Sequence, residues 1–146
     1  MPATPDRGNV LAFDFGERRV GVAVGELTLR MAHPLTTLEV RSDADRIEQV
    51  AGLVREWEPV QFVVGRPAHA DGRAHELAAR CERFARRLSA TFRVPSVLVD
   101  ETLSSHAASL SLGEAGVRGR RQAQMLDQVA AQHILQSFFD GTHATA

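Results

Sequence analysis

Apolar positions follow two rhythms along this chain, and the change between them marks the elements. Val10 to Phe15 reads VLAFDF, a short apolar run interrupted by an acid near its end, and Val20 to Val24 reads VGVAV; both predict buried strands. Gly16-Glu17-Arg18 between them is a tight turn, and Gly25-Glu26 is a second turn signal. Leu29 to Val40 predicts a third strand, bulged or broken near Pro34, which suits an edge because proline has no N–H to give a neighbour. The spacing then becomes helical. Ile47, Val50, Leu53, Val54 and Trp57 recur on one face, Ser42 or Asp43 can cap the start, and Pro59 stops the helix.

Val60 to Val64 (VQFVV) returns to the strand pattern, and Gly65 to Gly72 predicts a loop. Ala74 to Phe92 predicts a long helix with Leu77, Cys81, Phe84 and Leu88 on one stripe. Arg73, Glu76, Arg80, Arg83 and Arg87 form its other stripe, the usual composition of a solvated face. Ser96 to Val99 is the last predicted strand, closed by Asp100-Glu101. A short helix follows from Ser104 to Leu110, then a glycine- and arginine-rich loop from Leu112 to Arg121, then a helix from about Gln122 to Phe139.

That order predicts an α/β fold: a five-stranded mixed sheet, an antiparallel meander and then parallel strands, with helices on both faces. Residues 10–140 are expected to form the single domain, with flexible segments at 1–9 and 141–146. Ligands in such sheets bind beyond the carboxyl ends of the parallel strands.

Composition narrows the class. Of the 146 residues 44% are hydrophobic and 24% charged, a balance that supports one packed core. All 17 basic residues are arginine, against 18 acids, and the net charge of -1 excludes binding to nucleic acid by bulk positive charge alone. Cys81 is the single cysteine, which excludes an internal disulfide framework. Residues 1–9 carry no apolar stretch of signal type, and no apolar run is long enough to cross a bilayer, so a soluble cytoplasmic protein without membrane contact is expected. With one tryptophan and no tyrosine there is no stacking platform for bases.

Three acids stand in apolar places. Asp14 lies near the end of the first strand, where a carboxylate is costly unless a turn, a cation such as Arg19, or a metal compensates it. Asp100 and Glu101 are adjacent, so in a continuing strand only one of them faces a site shared with Asp14. Asp127 precedes Ala130, Ala131, Ile134 and Phe138 at helical spacing and so shares the core-facing stripe, either paired with an arginine or at a functional site. Clustered carboxylates repel unless a cation joins them. No histidine or cysteine stands at ligand spacing, so the donor set is oxygen only, which suits one or two Mg²⁺ or Mn²⁺ ions. Such ions clamp the attacking and leaving oxygens of a phosphodiester, and metal-assisted phosphodiester hydrolysis is the reaction class these residues point to.

Four segments carry a resemblance. Asp14-Phe15-Gly16-Glu17-Arg18-Arg19-Val20-Gly21-Val22-Ala23 closely resembles the opening motif of the YqgF family in the ribonuclease H-like superfamily. Val63-Val64-Gly65-Arg66-Pro67 with Asp71-Gly72, Asp100 to Ser105, and Asp127 with Ala130, Ala131, Ile134 and Leu135 resemble its second, third and fourth motifs, in order, over about residues 10–139. The resemblance implies a ribonuclease H-like fold and a site of Asp14, Glu101 and Asp127, as both catalytic groups and metal ligands. It implies a nuclease, of a family first likened to Holliday junction resolvases and later to enzymes maturing the 5′ end of pre-16S rRNA. A catalytically inactive nucleic-acid-binding module of the same fold is the alternative. Thr102 stands where the third motif commonly has arginine, and Arg66 and His69 where the second has leucine and asparagine. Gln128 stands where a small residue usually follows the fourth acid.

Arg19, Arg66, Arg118, Arg120 and Arg121 are the candidate substrate-binding groups, the last three because they precede the Asp127 helix with several positive charges. The expected partner is RNA or DNA held mainly by its backbone, and the chain is expected as a monomer or homodimer; a junction resolvase needs two symmetric sites.

Overall fold

A computed structural model describes residues 7–67, 72–101 and 119–141. Its strands are β1 (Asn9–Asp14), β2 (Arg19–Glu26), β3 (Ala32–Glu39), β4 (Gln61–Pro67) and β5 (Ser96–Glu101). Its helices are α1 (Asp43–Trp57), α2 (Gly72–Phe92) and the last one, here α3 (Gly119–Asp140). The strands form one sheet in the order β3-β2-β1-β4-β5. β1, β2 and β3 pair antiparallel, whereas β4 runs parallel to both β1 and β5. The expected meander with parallel crossovers is therefore present, and its carboxyl ends gather β1, β4 and β5 along one edge.

β3 is the edge strand, and its register against β2 shifts as Val22 pairs with Thr36 and Ala23 with Pro34. The bulge falls at the proline, which has no N–H to give to β2. The strand begins at Ala32 and not at Leu29, which is an exposed residue of the preceding turn. β4 runs further than expected, since Arg66 pairs with Asp100 and Pro67 with Glu101 where the sequence predicts a loop. α3 likewise takes in Gly119 to Arg121. The predicted helix at Ser104–Leu110 lies outside the described residues.

α1 begins as its sequence dictates: Ser42 Oγ accepts from the Asp45 N–H. It ends on Glu58 in the left-handed region, whose N–H bonds to the Val54 carbonyl just before Pro59.

The two faces of the sheet are packed differently. α1 and α2 cover one face with large side chains. Phe13 meets Phe62 at 5.9 Å in a tilted contact and Phe84 at 5.6 Å edge-on, the latter worth ~1 kcal/mol beyond its burial. Cys81 is buried in this layer, as a small hydrophobe. α3 covers the other face, where the sheet offers Ala12, Ala23, Ala32 and glycines to Ala131, Ile134, Leu135 and Phe139. Small residues on both sides bring the α3 backbone close to the strands. A Cβ on Gly21 would lie 1.9 Å from the Asp127 carbonyl oxygen, and one on Gly25 2.6 Å from the Phe139 ring.

Candidate active site

Strand alternation decides which acids meet. Val10 and Ala12 belong to the α3-side cluster, so Asp14, two residues on, points the same way. Val99 belongs to that cluster too, which puts Glu101 on the α3 side. Asp100 points to the opposite face, where its carboxylate accepts from Arg66 at 2.7 and 3.0 Å. The adjacent pair is thus split by the pleat, and Glu101 is the member that joins Asp14.

Gly65 makes the space between them. In the parallel register it lies beside Val99, one step beyond the Phe13–Val64 pair. A Cβ at Gly65 would lie 2.3 Å from Ile134 Cδ1 and 3.0 Å from Glu101 Oε2. The Ile134 side chain and the glutamate therefore occupy the volume that any other side chain would take.

Asp127 reaches the site from α3. Its Oδ2 accepts from Arg19 Nε at 2.7 Å. Arg19 therefore orients Asp127, not Asp14. Its terminal guanidinium nitrogens have no partner among the described residues. With Arg19 43% exposed, the pair adds at most ~1 kcal/mol to stability, so its consequence is positional.

Asp14 lies between the two other acids. Burial, then the negative charges of Glu101 and Asp127, push its carboxyl well above the usual carboxylate range. It borders two small clefts. One, of about 160 Å³, is shared with Arg19 and Asp127; the other, of about 180 Å³, with Gly65, Cys81 and Glu101. Burial and the Asp14 and Glu101 charges push the Cys81 thiol up to about 12, so it stays a neutral wall of that cleft.

The donor chemistry fits divalent cations that prefer oxygen, because positive charge in either cleft would relieve the repulsion on Asp14. As the side chains stand, no three acid, histidine or cysteine groups among the described residues converge on a single point. Asp127 is turned to Arg19, and the acids line two clefts instead of one.

The candidate arginines separate. Arg19 is at the site. Arg66 is on the other face, bound by Asp100 and by Glu82 at 3.1 Å, and is not among the groups brought to Asp14. Arg121 is exposed on the first turn of α3, and Arg120 lies on the same turn. Arg118, His69 and Thr102 lie outside the described residues. The sequence reading missed Gly21 and Gly65, whose role is to leave room; a glycine inside a strand pattern is the available signal for close approach.

A family model described as RuvX, Holliday junction resolvase, matches residues 8–141. A protein of Nitrosospira multiformis with the name "Putative pre-16S rRNA nuclease" is 55% identical over 141 residues, 97% of this chain and 93% of its own. One of the same name from Nitrosomonas eutropha is 53% identical over 139 residues, 95% of this chain and 88% of its own. Among solved structures, Thermus thermophilus RuvC in complex with a Holliday junction substrate is similar in fold. Its TM-score is 0.54 at 14% identity, over 95% of this chain and 99% of that one.

Proposed function

Since the chain belongs to the RuvX family of Holliday junction resolvases, we propose that it is a divalent-metal-dependent nuclease whose substrate is the precursor of 16S rRNA. The observation that carries the chemistry is Asp14 between Glu101 and Asp127, its carboxyl raised by burial and by both neighbours. The substrate class rests on relatives above 50% identity with the pre-16S rRNA nuclease name.

Asp14, Glu101 and Asp127 would hold one or two Mg²⁺ or Mn²⁺ ions, which when bound activate water and stabilise the leaving oxygen. The rest is done by the chain. Asp14 supplies the carboxylate between the two clefts, and Glu101 closes the side toward β5. Asp127 is kept in reach by Arg19, whose free terminal nitrogens are placed to take a phosphate oxygen. Arg120 and Arg121, on the first turn of α3, are proposed to meet the strand further out.

The test is cleavage of a panel of single strands, duplexes, four-way junctions and precursor rRNA with Mg²⁺ and with Mn²⁺. Processing of the precursor 5′ region, abolished by EDTA, is expected. The resolvase reading, favoured by the family description, instead predicts paired cuts in junctions by a dimer. Binding to the panel without turnover under either metal would favour the inactive module. No described helix is long and apolar enough to cross a membrane.

Arg19→Gln is expected to lower the cleavage rate about tenfold and to raise the Mg²⁺ concentration giving half-maximal rate, since Asp127 loses the group that orients it. Thermal stability is expected to stay nearly constant, because the Arg19 member of the pair is 43% exposed. A metal titration of the rate beside a melting curve checks both.

A further inference from the structure

On the α1/α2 side of the molecule, a groove of about 620 Å³ runs between the start of α1 and the middle of α2. Five guanidiniums line it: Arg46, Arg80, Arg83, Arg86 and Arg87. Two carboxylates face them, and both are engaged, Glu17 by Arg80 and Asp43 by Arg46. Arg83, Arg86 and Arg87 are exposed and have no ion-pair partner among the described residues. In a chain of net charge -1 this is a concentrated basic surface. It also works against the helix. Arg83 stands three residues from Arg80 and Arg86 and four from Arg87, and like charges at those spacings destabilise a helix. An anion in the groove would reverse that cost.

The floor of the groove is built. Arg46 is 5% exposed, lies over the Phe15 ring at 4.8 Å, and donates to the carbonyls of Gly16 and Glu17 at 3.2 and 2.8 Å. Its Nε is buried with no partner. Arg46 thus ties the groove to the β1–β2 turn. Phe15 and Glu17 of that turn line both the groove and the cleft that holds Asp14 and Asp127. The basic surface and the acids therefore border the same turn.

We propose that this groove is a backbone track for the nucleic-acid strand on one side of the scissile bond, with Arg83, Arg86 and Arg87 contacting successive phosphates. The inference rests on the nuclease reading and extends it to the substrate's path. Arg80 to Arg87 spans ~10 Å of helix, long enough for two or three phosphates of one strand and longer than a single phosphate needs. Guanidinium forks match phosphate oxygens bidentately. The contacts would be independent of sequence, as expected for a chain without a stacking platform.

The test is binding of a short labelled RNA strand to the Asp14→Asn protein between about 50 and 200 mM KCl. Adding Arg83→Gln and Arg87→Gln is expected to weaken binding tenfold or more and to flatten the salt slope by about 1.4, two contacts at ~0.7 each. A matched pair at exposed arginines outside the groove, Arg55→Gln with Arg93→Gln, is expected to leave the slope unchanged. Both groove positions are exposed, and the melting temperature is expected to hold or rise. Equal losses from the two pairs would overturn the proposal. So would polyglutamate losing as much affinity as RNA on substitution, which would make the groove an acidic-protein surface. If the Asp14→Asn protein binds no strand at any salt, the nuclease reading fails first.

Discussion

Replacing Asp14 with asparagine is expected to abolish cleavage, by at least about 1000-fold or ~4 kcal/mol, while making the metal-free protein more stable. The two effects share one origin. Asp14 is costly as a partly buried anion beside Glu101 and Asp127, and its carboxyl is raised well above the ordinary range. A raised folded-state value means that the folded protein binds the proton more tightly than the unfolded chain. The stability from that proton is present at low pH and is lost as pH rises through the folded value. Asparagine has no charge to lose, so the advantage of Asp14→Asn over wild type should grow as pH rises above the ordinary aspartate range. Melting curves in EDTA across a pH series measure it. Added Mg²⁺ or Mn²⁺ should stabilise wild type and leave the variant nearly unmoved, because a ligand of the folded state stabilises in proportion to its binding. Cleavage retained by a folded, contaminant-free Asp14→Asn protein would sink the assignment of the site.

Gly21→Ala should be the most damaging of the small substitutions. The added Cβ would meet the Asp127 carbonyl oxygen at 1.9 Å and its carbon at 2.3 Å. Both are backbone atoms of α3, so no side chain can turn aside. Either the helix moves away from the sheet or β2 deforms. A loss of about 3 kcal/mol is expected, which for a domain of this size lowers the melting midpoint by ~6–12 °C. Cleavage should fall with it, because Asp127 moves with the backbone that carries it. Gly52→Ala is the control: it lies in α1 with nothing nearer than the Arg55 guanidinium at 3.9 Å, and alanine there should stabilise by ~0.5–1 kcal/mol. Denaturant unfolding of both variants checks the contrast. Wild-type stability and activity for Gly21→Ala would show that α3 has freedom this packing denies it.

Much of this arrangement is legible in the chain. The apolar runs and their breakers place all five strands and the three described helices, because buried backbone must pair and each period admits one element. Residues 65–67 read as loop for a reason that is itself local: glycine and proline interrupt strands on average. Here Gly65 stays in the strand because the Ile134 side chain and a carboxylate need its empty space, and Pro67 closes the strand end. The alternation of Asp100 and Glu101 was legible as a choice of one, and the core partner Val99 settles which face each takes.

By itself, the sequence determined the order of elements, the oxygen-only character of the acids and the family motifs, since these depend on local spacing and residue chemistry. Tertiary structure decided how the charges are shared. Arg19 goes to Asp127 and Arg66 to Asp100 and Glu82, partners from 16 to 108 residues away that no local pattern specifies. It also turned the arginine stripe of α2 into one wall of a groove, because packing against α1 and the β1–β2 turn sets beside that stripe a buried Arg46 the helix alone does not carry. Charge acts through space with a strength set by distance and burial, and those two quantities exist only once the chain has folded.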